Sequence, residues 1–329
     1  PTPAAAQSWF TNNFIDPEDG ALDVSPWLEK GGFLPVPLII TEPAVDNGLG
    51  IAAAFIHGDL DNPEAQPDIT GVAALATGND SQLAAGFHLG SYLDNRLRYA
   101  GAIAATSINL TFYGPGGVLD DGFGYNIDGS FILNNARYRL GQSDFWLGGR
   151  WQLLNSKVSF DDGSLPPGVK PDQLDATLSN LAATLYYDSR DNIFTPTQGV
   201  FARGLIGRDD NTWGSDFDFN SYELTAMGYR PLGERWDFSL LGSLEATDGD
   251  APFFVEPFIK LRGIPALRYQ GKNASAVELE LRRRIADRWS VSVFGGSGAV
   301  DAREQDRETR DSIRTIGFGL RFLALREQD

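Results

Sequence analysis

The chain has 329 residues, 42% of them hydrophobic, with 37 Gly, one Met, no Cys, and 44 acidic against 27 basic residues for a net charge of −17. The lack of cysteine excludes disulfides, thiolate metal sites, a Cys nucleophile and a lipid-bearing cysteine. The acidity, with no basic stripe against it, excludes attraction to nucleic acid or to anionic membrane surfaces at long range.

Residues 1–32 are polar and rich in Pro, Ala and acidic side chains, without alternation. The start, Pro-Thr-Pro-Ala-Ala-Ala-Gln, has no charged-then-apolar signal pattern and reads as a mature end left by cleavage. Ser25-Pro26-Trp27 supplies an N-cap and a Pro at the first helical position, so a short helix is expected, stopped by Gly31-Gly32. With Trp9, Phe10, Trp27 and Leu28 on a polar segment, two readings stay open: a plug of a lumen or its periplasmic mouth, or a tail.

From residue 33 to 329 the chain reads as strands. In 235–245, Trp236, Phe238, Leu240, Gly242 and Leu244 oppose Asp237, Ser239, Leu241, Ser243 and Glu245. In 277–284, Val277, Leu279 and Leu281 oppose Glu278, Glu280, Arg282 and Arg284. A period of two is a strand signature, and one oily face with one charged face needs one oily and one wet surrounding. The expected strands are 34–44, 47–58, 69–77, 82–92, 96–113, 122–138, 145–160, 175–188, 199–210, 216–230, 235–247, 275–285, 289–301 and 312–325. The longest uncharged run, 99–119, contains Ser107, Asn109, Thr111 and Pro115 and is too polar for a spanning helix of about 20 apolar residues. A spanning strand needs only about 9–11 residues, half of them apolar, which fits a mean hydropathy of −0.22.

The connections fall into two classes. Leu93-Asp94-Asn95, 141–144, 232–235 and 286–288 are short; 160–175, 209–216 and 248–274 are long, acidic and rich in Gly or Pro. Two of the short turns place Trp236 and Trp289 just beyond them, where an interfacial aromatic girdle belongs. Short turns alternating with long loops match the periplasmic and external sides of a bacterial barrel. The expected fold is therefore all-β, a transmembrane antiparallel β-barrel over 33–329 in the outer membrane of a Gram-negative bacterium, with the lipid bilayer as its surroundings. A soluble sandwich or propeller is the alternative, and strands of over a dozen residues argue against it.

Three stretches resemble the BamA/TamA family, the bacterial surface antigen superfamily. Tyr187-Asp188-Ser189-Arg190-Asp191-Asn192-Ile193-Phe194-Thr195-Pro196-Thr197-Gln198-Gly199 is similar to its D-x-R-D-N-x-x-x-P-x-x-G turn. Leu261-Arg262-Gly263-Ile264 resembles its (V/I)-R-G-(F/Y) loop tip, and Gly31 to Pro37 through Gly48-Leu49-Gly50 resembles its first hairpin. The resemblance implies a sixteen-stranded barrel, of which fourteen strands are counted here. It also implies a final hairpin with an aromatic ending that Phe322 and Leu325 do not make, so either a shortened sequence or a barrel closing with fewer strands is expected, the first preferred because an open edge in lipid leaves backbone groups unpaired. Residues 1–32 are too few for the POTRA domains that such insertases carry, so a member without them is expected. A separate periplasmic or lipoprotein partner would then take their place.

The resemblance further implies that the loop 248–274 folds into the lumen and that Arg262 pairs with inward carboxylates. The family's Asp is replaced by Gly296 within Phe294-Gly295-Gly296-Ser297-Gly298, so Glu280 or Glu278 is the expected partner. An unpaired charge away from water is costly; the plainer alternative is an exposed loop arginine. Asp188, Arg190, Asp191 and Asn192, with Pro196 and Gly199, have the oxygens for Ca²⁺, but side chain–backbone ties within a turn explain them better. Residues 16–23 miss the oxygen spacing of a Ca²⁺ loop. His57 and His88 lack any nucleophile motif and are expected as lumen or rim residues. No active site, cofactor or metal is expected.

The first functional expectation is a barrel that assists insertion or translocation of proteins or other molecules, with unfolded outer-membrane proteins as clients. The resemblance implies a weak seam between first and last strands, and Pro35 and Pro37 would weaken it because proline donates no ladder bond. A passive pore or structural barrel sharing only the fold is the second. An outer-membrane hydrolase is a remote third.

Overall fold

The computed structural model describes residues 32–57, 68–192, 195–304 and 307–323. The helix and the plug-or-tail question of the N-terminal segment fall outside these residues. Fourteen strands follow one another: β1 (Gly32–Ile40), β2 (Gly48–His57), β3 (Asp68–Thr77), β4 (Gln82–Tyr92), β5 (Leu97–Phe112), β6 (Phe123–Arg139), β7 (Phe145–Phe160), β8 (Asp175–Asp188), β9 (Gly199–Asp209), β10 (Phe219–Pro231), β11 (Trp236–Gly249), β12 (Asn273–Arg284), β13 (Trp289–Glu304) and β14 (Arg307–Phe322). Each is antiparallel to its chain neighbours in one sheet of unbroken order. The fourteen strands agree in number and place with the alternation. No helix among the described residues is long and apolar enough to cross a membrane.

Directly opposed residues share a face of the sheet. The ladders therefore put Arg98, Arg137, Gly148, Thr184, Leu205, Glu223, Glu245, Ala274 and Val300 on one face. This face is the inner one, because Ala274 and Val300 pack against Ile259 and Leu261 of the segment between β11 and β12. The opposite face presents Ile51, Val72, Ile103, Leu185, Ile206, Leu244 and Phe318, all exposed. Such a surface is at rest only against hydrocarbon. Trp236 and Trp289 open their strands and are exposed there, the positions of a girdle.

Three features depart from the sequence reading. The hairpin of β13 and β14 runs on through Asp301↔Arg310 to Glu304↔Arg307, where 302–311 reads as a loop. Seven charges among these ten residues leave no apolar alternation to signal a strand. The family implies sixteen strands and a closed ring; here fourteen strands form a sheet whose edges, β1 and β14, do not pair with one another among the described residues. His57 and His88, expected in the lumen or at the rim, sit on the outer face: Thr70 is opposite His88 on the face of Val72. The Thr70 hydroxyl lies 2.9 Å from His57 Nε2 and 2.8 Å from His88 Nδ1, and His88 Nε2 lies 2.8 Å from the Tyr92 hydroxyl.

Candidate functional site

The segment 250–272 runs inside the curved sheet and touches it in three directions. Its first anchor is the 3-10 turn Phe253–Val255. Alternation puts Phe112, Tyr125 and Phe160 on the inner face at this end, and the Phe253 ring lies 4.9, 5.4 and 5.9 Å from theirs. Phe254, Phe217, Phe219, Val158 and Leu178 complete a buried cluster. The second anchor is Ile259 and Leu261 against Ala274, Ala276 and Val300. Here the glycines of β13 make room: a Cβ at Gly296 would lie 2.6 Å from Leu261 Cδ2, and one at Gly298 would run into Ile259. The third is Ala266, whose N–H donates to Glu42 between β1 and β2 at 2.9 Å. Arg268 donates to the Gly117 carbonyl at 2.9 Å, and its guanidinium lies 4.0 Å from the centre of the Tyr113 ring.

Arg262 stands between the second and third anchors. Its Nε donates to Glu278 Oε1 at 2.7 Å and its Nη1 to Glu280 Oε2 at 2.5 Å. Its guanidinium lies 3.6 Å from the centre of the Phe294 ring, a cation–π stack. Both glutamates are buried, at 9% and 6% exposure. Burial lowers the pKa of Arg262, but the hydrogen bonds and charges of the two carboxylates outweigh it and hold the group above its usual value. Arg321 of β14 donates to both oxygens of Glu280, at 2.7 and 2.9 Å. Two guanidiniums thus neutralise two carboxylates. Gly263, at φ 85°, turns the chain just after Arg262, and Ile264 N–H donates back to the Leu261 carbonyl. Beside this group lies a cavity of about 1480 Å³, lined among others by Arg203, Asp237, Arg262 and Glu278.

Glu256 in the same loop is half-buried, and burial raises its pKa to about 7 against the opposing charge of Lys272. A carboxyl with a raised folded pKa favours the neutral form, so its stabilising contribution is complete below 4.5, the unfolded value, and lost as pH rises through about 7. The loop is therefore expected to exchange its amide hydrogens faster at pH 8 than at pH 5, after correction for intrinsic rates. Glu256→Gln is expected to flatten that difference, and an equal difference in the variant would assign it elsewhere.

At the other end of the sheet, residues 189–198 join β8 to β9. Asp188 accepts from Arg190 Nε and Nη2 at 2.8 and 2.9 Å. The Asp191 carboxylate accepts from the N–H groups of Asn192, Thr197 and Gln198 and from the Thr197 hydroxyl at 2.6 Å. Burial raises its pKa, but these bonds more than offset it and the net shift is downward. Asn192 Oδ1 accepts from Thr195 N–H at 3.0 Å, and Pro196 continues the turn. Gly199 has φ 105°, and a Cβ there would strike the backbone at Ser189 and Arg190. Gly199→Ala is expected to destabilise the barrel by roughly 1–3 kcal/mol, measured as a lower unfolding midpoint in detergent; an unchanged midpoint would mean the turn rebuilds at no cost.

Pro35 and Pro37 lie on β1 opposite Ala53 and Ile51, and both are exposed. The resemblance implied Glu280 or Glu278 as the partner of Arg262, on the wet face that alternation gives them, and Arg262 lies against both. The sequence reading missed Arg321, Phe294 and the Phe253 anchor, because their partners come from strands far apart in sequence. The paired glycines 296 and 298, breaking an otherwise regular strand, were the one available signal of a close approach.

An antiparallel sheet, oily outside, curved round an inward loop and lined by paired charges, is the wall of a transmembrane β-barrel. Residues 155–254, from within β7 to Phe254, match the Omp85 superfamily domain. That match, over less than a third of the chain, falls in the group to which the surface-antigen resemblance pointed. Among solved structures, BamA from Haemophilus ducreyi lacking POTRA domains 1-3 is similar at 13% identity and TM-score 0.61, over 97% of this chain and 71% of that one. CdiB from Escherichia coli is similar at 11% identity and TM-score 0.62, over 88% of this chain and 56% of that one. CdiB from Acinetobacter baumannii follows at 12% and 0.55, over 89% and 53%. The chain spans about half the length of the two CdiB structures, and at these identities the likeness is one of fold. No curated protein matches it significantly in sequence.

Proposed function

We propose that this barrel resides in the outer membrane of a Gram-negative bacterium and assists insertion or translocation of proteins there, through a weak seam at β1. The observation that carries this reading is β1 itself, a nine-residue edge strand with two prolines, Pro35 and Pro37. Spaced two apart, their nitrogens point to the same side of the strand. Prolines persist in sheets where that side faces off the ladder, and β1 keeps a continuous register with β2. The missing donors then fall on the free edge, so any strand closing there lacks two hydrogen bonds and parts readily. An opened edge offers an unfolded client strand a template for pairing. The loop tip at Arg262, held by Glu278 and Glu280, fixes the inner wall beside the other edge, since Arg321 of β14 shares Glu280. A separate periplasmic or lipoprotein partner would deliver the client.

The test is the folding rate of an unfolded client barrel into liposomes with and without this protein. The expected result is acceleration that disappears when β1 is joined by an introduced disulfide to the strand that closes against it. The chain has no cysteine of its own to confuse that result. Pro35→Val with Pro37→Val should also slow the client. No acceleration by the intact barrel would turn the reading to a passive pore, which the cavity of about 1480 Å³ favours.

A further inference from the structure

On the inner wall, most arginines are matched to carboxylates. Arg150 and Arg203 face Glu223 at 3.4 and 2.9 Å, Arg282 faces Asp237 at 3.1 Å, and Arg262 and Arg321 share the two glutamates of β12. One group breaks this rule, at the short-turn end of β5 to β8. The Cζ atoms of Arg98, Arg137 and Arg139 lie 4.4, 5.7 and 5.9 Å from the centre of the same buried ring, Trp146. Arg98 and Arg137 are directly opposed across the β5–β6 ladder and face the lumen by the row traced above.

The pairing of this group is incomplete. Among the described residues the Arg137 side chain makes no hydrogen bond or ion pair; it lies over the rings of Trp146 and, at 4.7 Å, Tyr186. Among the described residues the Arg98 side chain bonds only through its Nε, to Asn95 Oδ1 at 3.1 Å, and neither Nη has a partner there. Arg139 reaches the Ser143 carbonyl and, at 3.7 Å, Asp144. The remaining carboxylate, Asp188, is hydrogen-bonded by both arms of Arg190, and its single charge is also felt by Arg98 and Arg137. Four guanidiniums against two carboxylates leave two positive charges in excess, within a chain of net charge −17. Like charges held over one ring repel, and aromatic stacking of about 0.5–2 kcal/mol each offsets only part of that.

We propose that Arg98, Arg137 and Arg139 form a binding site for a phosphate group at the short-turn mouth of the lumen. A phosphate monoester carries about −1.5 to −2 charges near neutral pH, which matches the excess. Guanidiniums present parallel N–H pairs to its oxygens, and the Trp146 and Tyr186 rings hold those forks in place beforehand. The chemistry is shared by free phosphate and by a phosphate-bearing lipid headgroup. The proposal does not depend on the seam at β1.

The experiment is calorimetric titration of the barrel in uncharged detergent micelles at low ionic strength, with chloride matched throughout. One arm uses inorganic phosphate, the other phosphatidic acid in mixed micelles. Saturable binding in either arm, weakened at least ~10-fold by Arg137→Gln and by Arg98→Gln, is the expected result. Binding of inorganic phosphate identifies a soluble source; binding of phosphatidic acid alone identifies a headgroup. Circular dichroism checks that each variant is folded, and Arg137→Lys, which keeps the charge, replaces Arg137→Gln if that variant does not fold. No binding in either arm, or binding that survives both substitutions, overturns the site.

Discussion

Arg262→Ala is expected to lower the stability of the loop by roughly 2–4 kcal/mol, because it strands buried charge rather than removing a surface contact. Glu278 suffers most. Its Oε1 takes Nε and Nη2 of Arg262 at 2.7 and 2.6 Å, and its Oε2 is buried with no partner among the described residues. Glu280 retains Arg321 on both oxygens and loses less. The guanidinium side chain is 39% exposed, so water recovers part of the loss and holds the figure below the top of the range for buried pairs. The measurement is limited proteolysis of 250–272 together with the unfolding midpoint in detergent. Adding Glu278→Gln to Arg262→Ala should restore most of the loss, since the orphaned charge is then gone. Arg262→Lys should restore little, since an ammonium cannot bond both glutamates in the guanidinium's fork or stack as a plane on Phe294. Unchanged cleavage and midpoint in Arg262→Ala would show that the ion pair carries no weight in holding the loop.

How much of this was legible beforehand depends on the range of the signal. Strands were legible because lipid outside and water inside impose a period of two on every crossing, and that period needs no knowledge of neighbours. It fails where the hairpin of β13 and β14 reaches beyond the apolar band, since the sequence 301–311 is dense in charge and has no apolar alternation. The partners of Arg262 were legible at one remove. Glu278 and Glu280 share a face of one strand, so the resemblance that put Arg262 against that wall put it near both. Arg321 was not legible, because Glu280 reaches it across β13 and four residues out of its own row, which ends on Gly317, and register between strands is set by turns and packing rather than by the strand's own pattern. The arginine group on Trp146 was hidden for a similar reason. Arg98 and Arg137 are 39 positions apart in sequence and become neighbours only through the β5–β6 register.

Phe253→Ala is expected to have the other large effect, about 3–5 kcal/mol, the usual range for emptying a buried phenyl site. Phe253 is 6% exposed and lies at the meeting point of Phe112, Tyr125, Phe160 and Phe254, with the Phe254 ring at 5.4 Å. The β5 to β8 wall is held by its own ladders, so it cannot move in to fill the void. The loss therefore falls on the loop, and amide exchange should rise in 250–258 while β5 to β8 stay protected. Comparison with Arg262→Ala decides how the loop is built. The two residues are nine positions apart and bind opposite walls of the lumen, through Phe112 and Tyr125 on one side and Glu278 and Glu280 on the other. If the loop docks as one body, releasing either anchor frees part of what the other holds, and the double variant should lose clearly less than the sum of the singles. Strict additivity, within about 0.5 kcal/mol, would instead make them two independent contacts. The loop could then lift from the aromatic cluster while Arg262 still held the wall beside β14.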